Sequence, residues 1–170
     1  IINSLGFNNK GVDYLVENLK RRKFKGVVGV NIGANKLSSG NQRVNDYLTC
    51  LEKVHKYADY ITVNISSPNT PNLRDLHDEK KFKFLISALE KKYKEIGINI
   101  PIFIKISPDE SNDALDSIID IVKESFLSGI VATNTTINKA NLVDQEFKSI
   151  NGGLSGKYLK ESSTKKISYI

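Results

Sequence analysis

The chain has 170 residues, 39% hydrophobic and 26% charged, with a net charge of +6, a single cysteine and no methionine. That length suits one domain with a real core, and no apolar run approaches the roughly 20 residues of a membrane span. The lone Cys50 excludes an internal disulfide and a cysteine-based metal cluster, and the basic runs Lys20-Arg21-Arg22-Lys23 and Lys91-Lys92-Tyr93-Lys94 sit beside Glu17, Glu90 and Glu95 as solvated helix faces do, without a nucleic-acid recognition module.

The opening residues show no signal-peptide pattern, which says nothing of a longer parent. With an abrupt start at Ile1-Ile2-Asn3 and an abrupt end at Ile167-Ser168-Tyr169-Ile170, the chain reads as an internal fragment of a longer protein. Residues 3–8 (N-S-L-G-F-N) form a polar loop, followed by a short amphipathic helix carrying Val12, Leu15, Val16 and Leu19. Residues 26–32 (G-V-V-G-V-N-I) read as a buried strand closed by Gly33-Ala34-Asn35-Lys36, and the next helix carries Val44, Tyr47, Leu48, Leu51 and Val54 on one stripe, with Cys50 as a buried or neutral thiol.

The stretch D-Y-I-T-V-N-I-S-S-P-N-T, residues 59–70, begins as a β-branched strand and ends in small polar groups. Pro68 stops a continuing element there. Taken alone, its end also fits an ordinary Ser/Asn-rich turn. A longer helix follows with Phe82, Leu85, Ile86 and Leu89 inward, then a third strand at 101–106 (P-I-F-I-K-I). Ser111 or Asn112 caps a helix striped by Leu115, Ile118, Ile119, Val122 and Phe126. Residues 129–134 (G-I-V-A-T-N) make a fourth strand, and a glycine-rich loop at 151–156 precedes a last basic helix.

Strands alternating with helices predict parallel pairing with right-handed crossovers. Their recurrence every roughly 30–40 residues matches a (β/α)8 TIM barrel, of which this chain makes about half. A doubly wound sheet shares the alternation, but the G-x-G-x-x-G turn it more often carries is missing.

Each strand leaves a polar group near its C-terminal end: Asn31, Asn64, Lys105, and Thr133 with Asn134. A lysine within P-I-F-I-K-I is costly to bury unless an anion or electron-rich partner meets it, the alternative being a lysine snorkelling from an edge strand. The asparagines offer paired donors and acceptors suited to a planar heterocycle. No carboxylate pair, histidine-based triad or metal-ligand cluster stands at the strand ends. His55 and His77 read as structural or exposed, and Asp109 as a cap for the following helix. The base candidate is then a hydroxyl, Ser67, a set that suits a bound organic cofactor better than hydrolysis.

The motifs N-I-S-S-P-N-T-P-N-L-R-D-L, V-N-I-G-A-N-K, I-K-I-S-P-D, A-T-N-T-T and G-G-L-S-G-K run in order along nearly the whole chain. Together they resemble class 2, quinone-dependent dihydroorotate dehydrogenase, a flavin-containing TIM barrel of pyrimidine synthesis. The resemblance implies oxidation of dihydroorotate to orotate, with FMN taking a hydride and Ser67 removing the C5 proton. Class 1 members usually carry Cys at the position of Ser67, which favours a quinone as final oxidant. By the same resemblance Asn31, Asn64, Lys105, Thr133 and Gly156 contact FMN. Asn3, Ser4, Leu5, Gly6, Phe7, Asn64, Asn69, Asn134 and Thr135 line the substrate, with Phe7 and Thr70 on the route by which the proton leaves.

Two positions depart from the family's pattern: Ala34 stands where Lys is usual, and Asn72 where Gly is usual. The resemblance further implies that the parent has an N-terminal helical quinone segment and C-terminal strands for the FMN phosphate. It also implies a peripheral membrane location, on the cytoplasmic face of the bacterial inner membrane or on the mitochondrial inner membrane. No nucleic-acid or metal partner is expected. The competing readings are a related flavin barrel using fumarate or nicotinamide, and a barrel that binds a ligand without turnover.

Overall fold

The computed structural model describes residues 1–67 and 79–170. Its frame is a four-stranded parallel sheet in the order β2 (Gly29–Ile32), β3 (Tyr60–Asn64), β4 (Ile102–Lys105), β5 (Gly129–Val131). Helices α2 (Gly40–Val54), α3 (Glu79–Glu95) and α4 (Asn112–Glu124) return the chain from each strand to the next. Sequential order with a helix between parallel neighbours is the pattern of consecutive barrel units.

Directly opposed residues project to the same side of a sheet, and the register sorts this sheet into two unlike faces. One face carries Val30, Ile32, Ile61, Val63, Ile102, Ile104 and Ile130, which pack into a single core with Tyr47, Leu51, Phe82, Leu85, Leu89, Leu115 and Ile118 from the helices. The other face carries Gly29, Asn31, Tyr60, Thr62, Asn64, Phe103, Lys105, Gly129 and Val131.

Tyr60 and Phe103 meet edge to face with ring centroids 5.7 Å apart, a favoured aromatic geometry. Tyr60 also leans over Gly29, where a Cβ would come 2.1 Å from its ring. This aromatic layer lies at the N-terminal end of the strands and leaves the polar residues at the C-terminal end.

The strands begin later and end earlier than the apolar runs suggest. Val27 is 74% exposed, so β2 starts only at Gly29. A second, antiparallel sheet pairs β1 (Ile2–Asn3) with β6 (Gly153–Leu154). Leu154 also exchanges backbone hydrogen bonds with Thr136, so β6 ties the start of the chain to the loop after β5. The remaining helices are α1 (Val12–Lys20), the four-residue α5 (Gln145–Lys148) and α6 (Lys157–Tyr169), with a 3-10 turn at His55–Tyr57.

Helix α4 is capped by Ser111, whose Oγ accepts from the Ala114 amide at 3.1 Å. Asp109 does not cap it. Its carboxylate instead accepts from the Thr136 hydroxyl and from the Ile137 amide at 3.0 Å, because the S-P-D loop after β4 runs beside the loop after β5. His55 closes α2, with Nδ1 2.8 Å from the Glu52 carbonyl. His77 lies outside the described residues. On the outer faces Lys83–Glu79, Lys94–Glu90 and Lys165–Glu161 pair one turn apart. Among the described residues no helix is long and apolar enough to cross a membrane.

Candidate active site

The polar residues of the second face gather at the C-terminal ends of the strands, where a parallel barrel concentrates its chemistry. Asn31 stands opposite Thr62, and Asn64 opposite Lys105. Beyond β4 and β5 the ladder continues: Ile106 N–H donates to Val131 O and Asn134 N–H to Ile106 O at 2.8 Å. This brings Asn134 level with the end of β3.

Asn64 is only 3% exposed. Its Oδ1 accepts from the Ser66 amide at 3.1 Å and from Asn134 Nδ2 at 3.3 Å. A backbone N–H can only donate, so this contact fixes the orientation of the Asn64 amide and turns Nδ2 away from both partners. Among the described residues Nδ2 has no protein acceptor, and the half-buried Lys105 ammonium has no carboxylate within ion-pair distance. A buried amide donor left unmade costs about 1–3 kcal/mol. Side by side, the two groups form a donor-only, electropositive pair awaiting an acceptor.

The Asn64 carbonyl is held from the helical side by the hydroxyl of Tyr47, which donates to it at 2.8 Å. Tyr47 is fully buried, and that burial pushes its phenol well above the usual range, with the Ala34 amide beside it pulling the other way. Ala34 is itself 1% exposed and packs into the core. Arg43, on the same helix, is buried and donates through Nε and Nη2 to the Ser38 carbonyl, which shapes the loop after β2.

Ser67 is 6% exposed and follows Ser66 at the mouth of β3. Thr133 lies after β5 beyond a cis Ala132–Thr133 peptide, its hydroxyl 3.1 Å from the Ser163 hydroxyl of α6. The Thr135 amide donates to Asn134 Oδ1 at 2.8 Å. Asn3 sits in β1 against Gly152, where a Cβ would come 2.3 Å from the Asn3 carbonyl oxygen, and its Oδ1 accepts from the Leu5 amide at 3.4 Å. Gly156 adopts φ 82° at the start of α6, with open space where a side chain would be. Asn69, Thr70 and Asn72 lie outside the described residues.

The structure thus joins Asn64, Lys105 and Asn134 in one network, while Asn31 stands one strand away and is exposed. Asn31, Ser4, Leu5, Gly6 and Phe7 line a cavity of about 840 Å³ between the N-terminal loop, α1 and α2. The Phe7 ring closes over Gly33, where a Cβ would come within 2.8 Å of it. Sequence reasoning passed over two residues of the network, Ser66 and Tyr47. Tyr47 was visible only as a member of an apolar stripe. Ser66 had a signal, as the other half of a Ser-Ser pair, but nothing in the order of residues distinguishes the two hydroxyls.

A family model described as dihydroorotate dehydrogenase matches residues 1–170. The chain belongs to the dihydroorotate dehydrogenase family. It is 45% identical over 169 residues to a dihydroorotate dehydrogenase (quinone) of Legionella pneumophila, covering 97% of this chain and 51% of that protein. A relative of the same name from Pseudoalteromonas atlantica is 45% identical over 172 residues, again with 51% of its length covered. Among solved dihydroorotate dehydrogenase structures, that of Eimeria tenella in complex with ferulenol superposes with a TM-score of 0.90 at 31% identity, over 99% of this chain and 51% of the other. The chain therefore spans about half the length of the family members it matches, and its fold is the corresponding part of their TIM barrel.

Proposed function

We propose that the protein carrying this chain oxidises dihydroorotate to orotate in pyrimidine biosynthesis. In this reading FMN is the bound cofactor, a quinone the final electron acceptor, and a membrane surface the place of work. The observation that carries the reading is the adjacent pair of Asn64 Nδ2 and Lys105 Nζ on the site face, without a partner among the described residues. Two donors, one of them cationic, suit the acceptor-rich edge of a flavin that gains negative charge on reduction. They suit a metal ion badly, and among the described residues no three His, Cys, Asp or Glu side chains are grouped to hold one.

In this reading Asn31, Asn64, Lys105, Thr133 and Gly156 hold FMN, which when bound supplies the hydride acceptor. Lys105 steadies negative charge beside Asn64, with no competing carboxylate among the described residues. Ser67, nearly buried at the strand end, takes up the C5 proton of dihydroorotate while its own hydroxyl proton passes on towards solvent. Asn3, Asn134 and Thr135 orient the ring and carboxylate.

The test uses the full-length protein. Mixed anaerobically with dihydroorotate, the yellow protein is expected to bleach rapidly and to recover its absorbance when a soluble quinone is added. A yellow protein that stays yellow would redirect the scaffold to another substrate, and a colourless one would overturn the flavin assignment.

A further inference from the structure

We propose that Ser66 is a positioning residue of this site, its hydroxyl accepting from the Asn134 amide and so holding Asn134 with its carbonyl oxygen towards the bound ring. The proposal rests on the reading of the site as one for dihydroorotate and deepens it.

Ser66 has no solvent exposure, and its hydroxyl lies where three strands end. Oγ is 2.8 Å from the Lys105 carbonyl, 3.1 Å from Asn134 Nδ2 and 3.3 Å from Asn64 Oδ1. A serine hydroxyl has one hydrogen and two lone pairs. The Lys105 carbonyl offers the shortest contact and takes that hydrogen, so towards Asn134 Oγ acts as acceptor.

The count then closes on Asn134. One Nδ2 hydrogen goes to Ser66 Oγ and the other to Asn64 Oδ1 at 3.3 Å. Oδ1 takes the Thr135 amide at 2.8 Å, which fixes the amide's orientation independently. What Asn134 retains for a ligand is a lone pair on Oδ1. What Asn64 retains is the pair of hydrogens on Nδ2. Neighbouring side chains of one residue type therefore present opposite polarity, matching a ring in which an N–H alternates with carbonyls. Without the Ser66 hydroxyl the Thr135 amide still sets which way the Asn134 amide faces, but Nδ2 loses its shorter acceptor and the side chain is held less firmly against the ligand.

The experiment is orotate binding by isothermal titration calorimetry to the full-length, flavin-loaded protein, with flavin content and melting temperature measured in parallel. Ser66→Ala, Asn134→Ala and the double variant are compared with the unaltered protein. Ser66→Ala is expected to weaken orotate about tenfold, as loss of a hydrogen-bonded orientation does, while retaining flavin and melting temperature. In the Asn134→Ala background the same change should add nothing, because Ser66 acts through Asn134. Equal orotate affinity in Ser66→Ala, or additive losses in the double variant, would overturn the proposal. So would loss of flavin or of cooperative melting in Ser66→Ala, which would assign the hydroxyl to structure alone. If the unaltered protein is not reduced by dihydroorotate, the functional reading fails first and this inference with it.

Discussion

Asn64 and Lys105 are direct partners across the β3–β4 ladder, and each holds a donor for which the described residues supply no acceptor. Asn64→Asp keeps the oxygen that receives the Ser66 amide and replaces the free donor with an anion facing Lys105. The pair would then satisfy itself. Flavin affinity in the full-length protein should fall by about ten- to a hundredfold with the fold retained, the loss expected when a charge-assisted bond is redirected. Unchanged flavin content after dialysis would remove this pair from the cofactor site.

Ser67→Ala should slow flavin reduction by dihydroorotate by about 10²–10⁴, the usual contribution of a positioned base, while orotate binds almost as before. A stopped-flow trace separates the two. Equal rates in the variant would eliminate Ser67 as the base.

Tyr47→Phe removes the hydroxyl that holds the Asn64 carbonyl at 2.8 Å. A buried carbonyl left without its partner should lower stability by about 1–3 kcal/mol, read as a shift of the urea midpoint at unchanged slope. Because the same carbonyl belongs to a site residue, flavin affinity should drop with it.

Burial pushes the Cys50 thiol up from 9.0 to about 11. The folded chain then keeps a proton that the unfolded chain releases, so stability is intact below pH 9 and declines as pH rises from 9 to 11. Urea midpoints at pH 8 and pH 10.5 should differ more for the natural protein than for Cys50→Ala. Alkylation at pH 8 should be about a hundredfold slower in the folded than in the unfolded protein, following the thiolate fraction.

Gly152→Ala meets two obstacles: a φ of 130° and a Cβ that would press within 2.3 Å of the Asn3 carbonyl oxygen. Backbone strain of this kind costs about 1–3 kcal/mol. The pairing of β1 with β6 should loosen, lowering the melting temperature and, by displacing Asn3, weakening orotate. A variant that melts and binds like the natural protein would show that β1 tolerates the intrusion.

Much of this was legible in the residues. Asn31, Asn64 and Lys105 were conspicuous because each interrupts a β-branched run, and parallel pairing followed from the helix between each two strands. Other features were not. The β1–β6 pairing involves two residues on each side, too short for any period to register. Arg43 sits on the inward stripe of α2, where its charge argued against burial until the Ser38 carbonyl came within reach. Asp109 looked like a helix cap because caps are local, whereas its partners lie 27 and 28 residues further on. Which of two adjacent serines binds inward, and through which lone pair, is set by a neighbouring strand.

The alternation of the two sheet faces has an evolutionary corollary. Odd and even positions of each strand answer to different selective demands, one set to the solubility of the core and the other to whatever the site must hold. Substitutions at Asn31, Thr62 or Lys105 can therefore explore new ligands while the helical layer stays unaware of them. A single-codon deletion within β3 is another matter: it would shift the strand's alternation by one, turning core positions such as Ile61 and Val63 against site positions such as Asn64. Lineages of this barrel should accordingly diverge by replacement within strands and by insertion only in the loops between them.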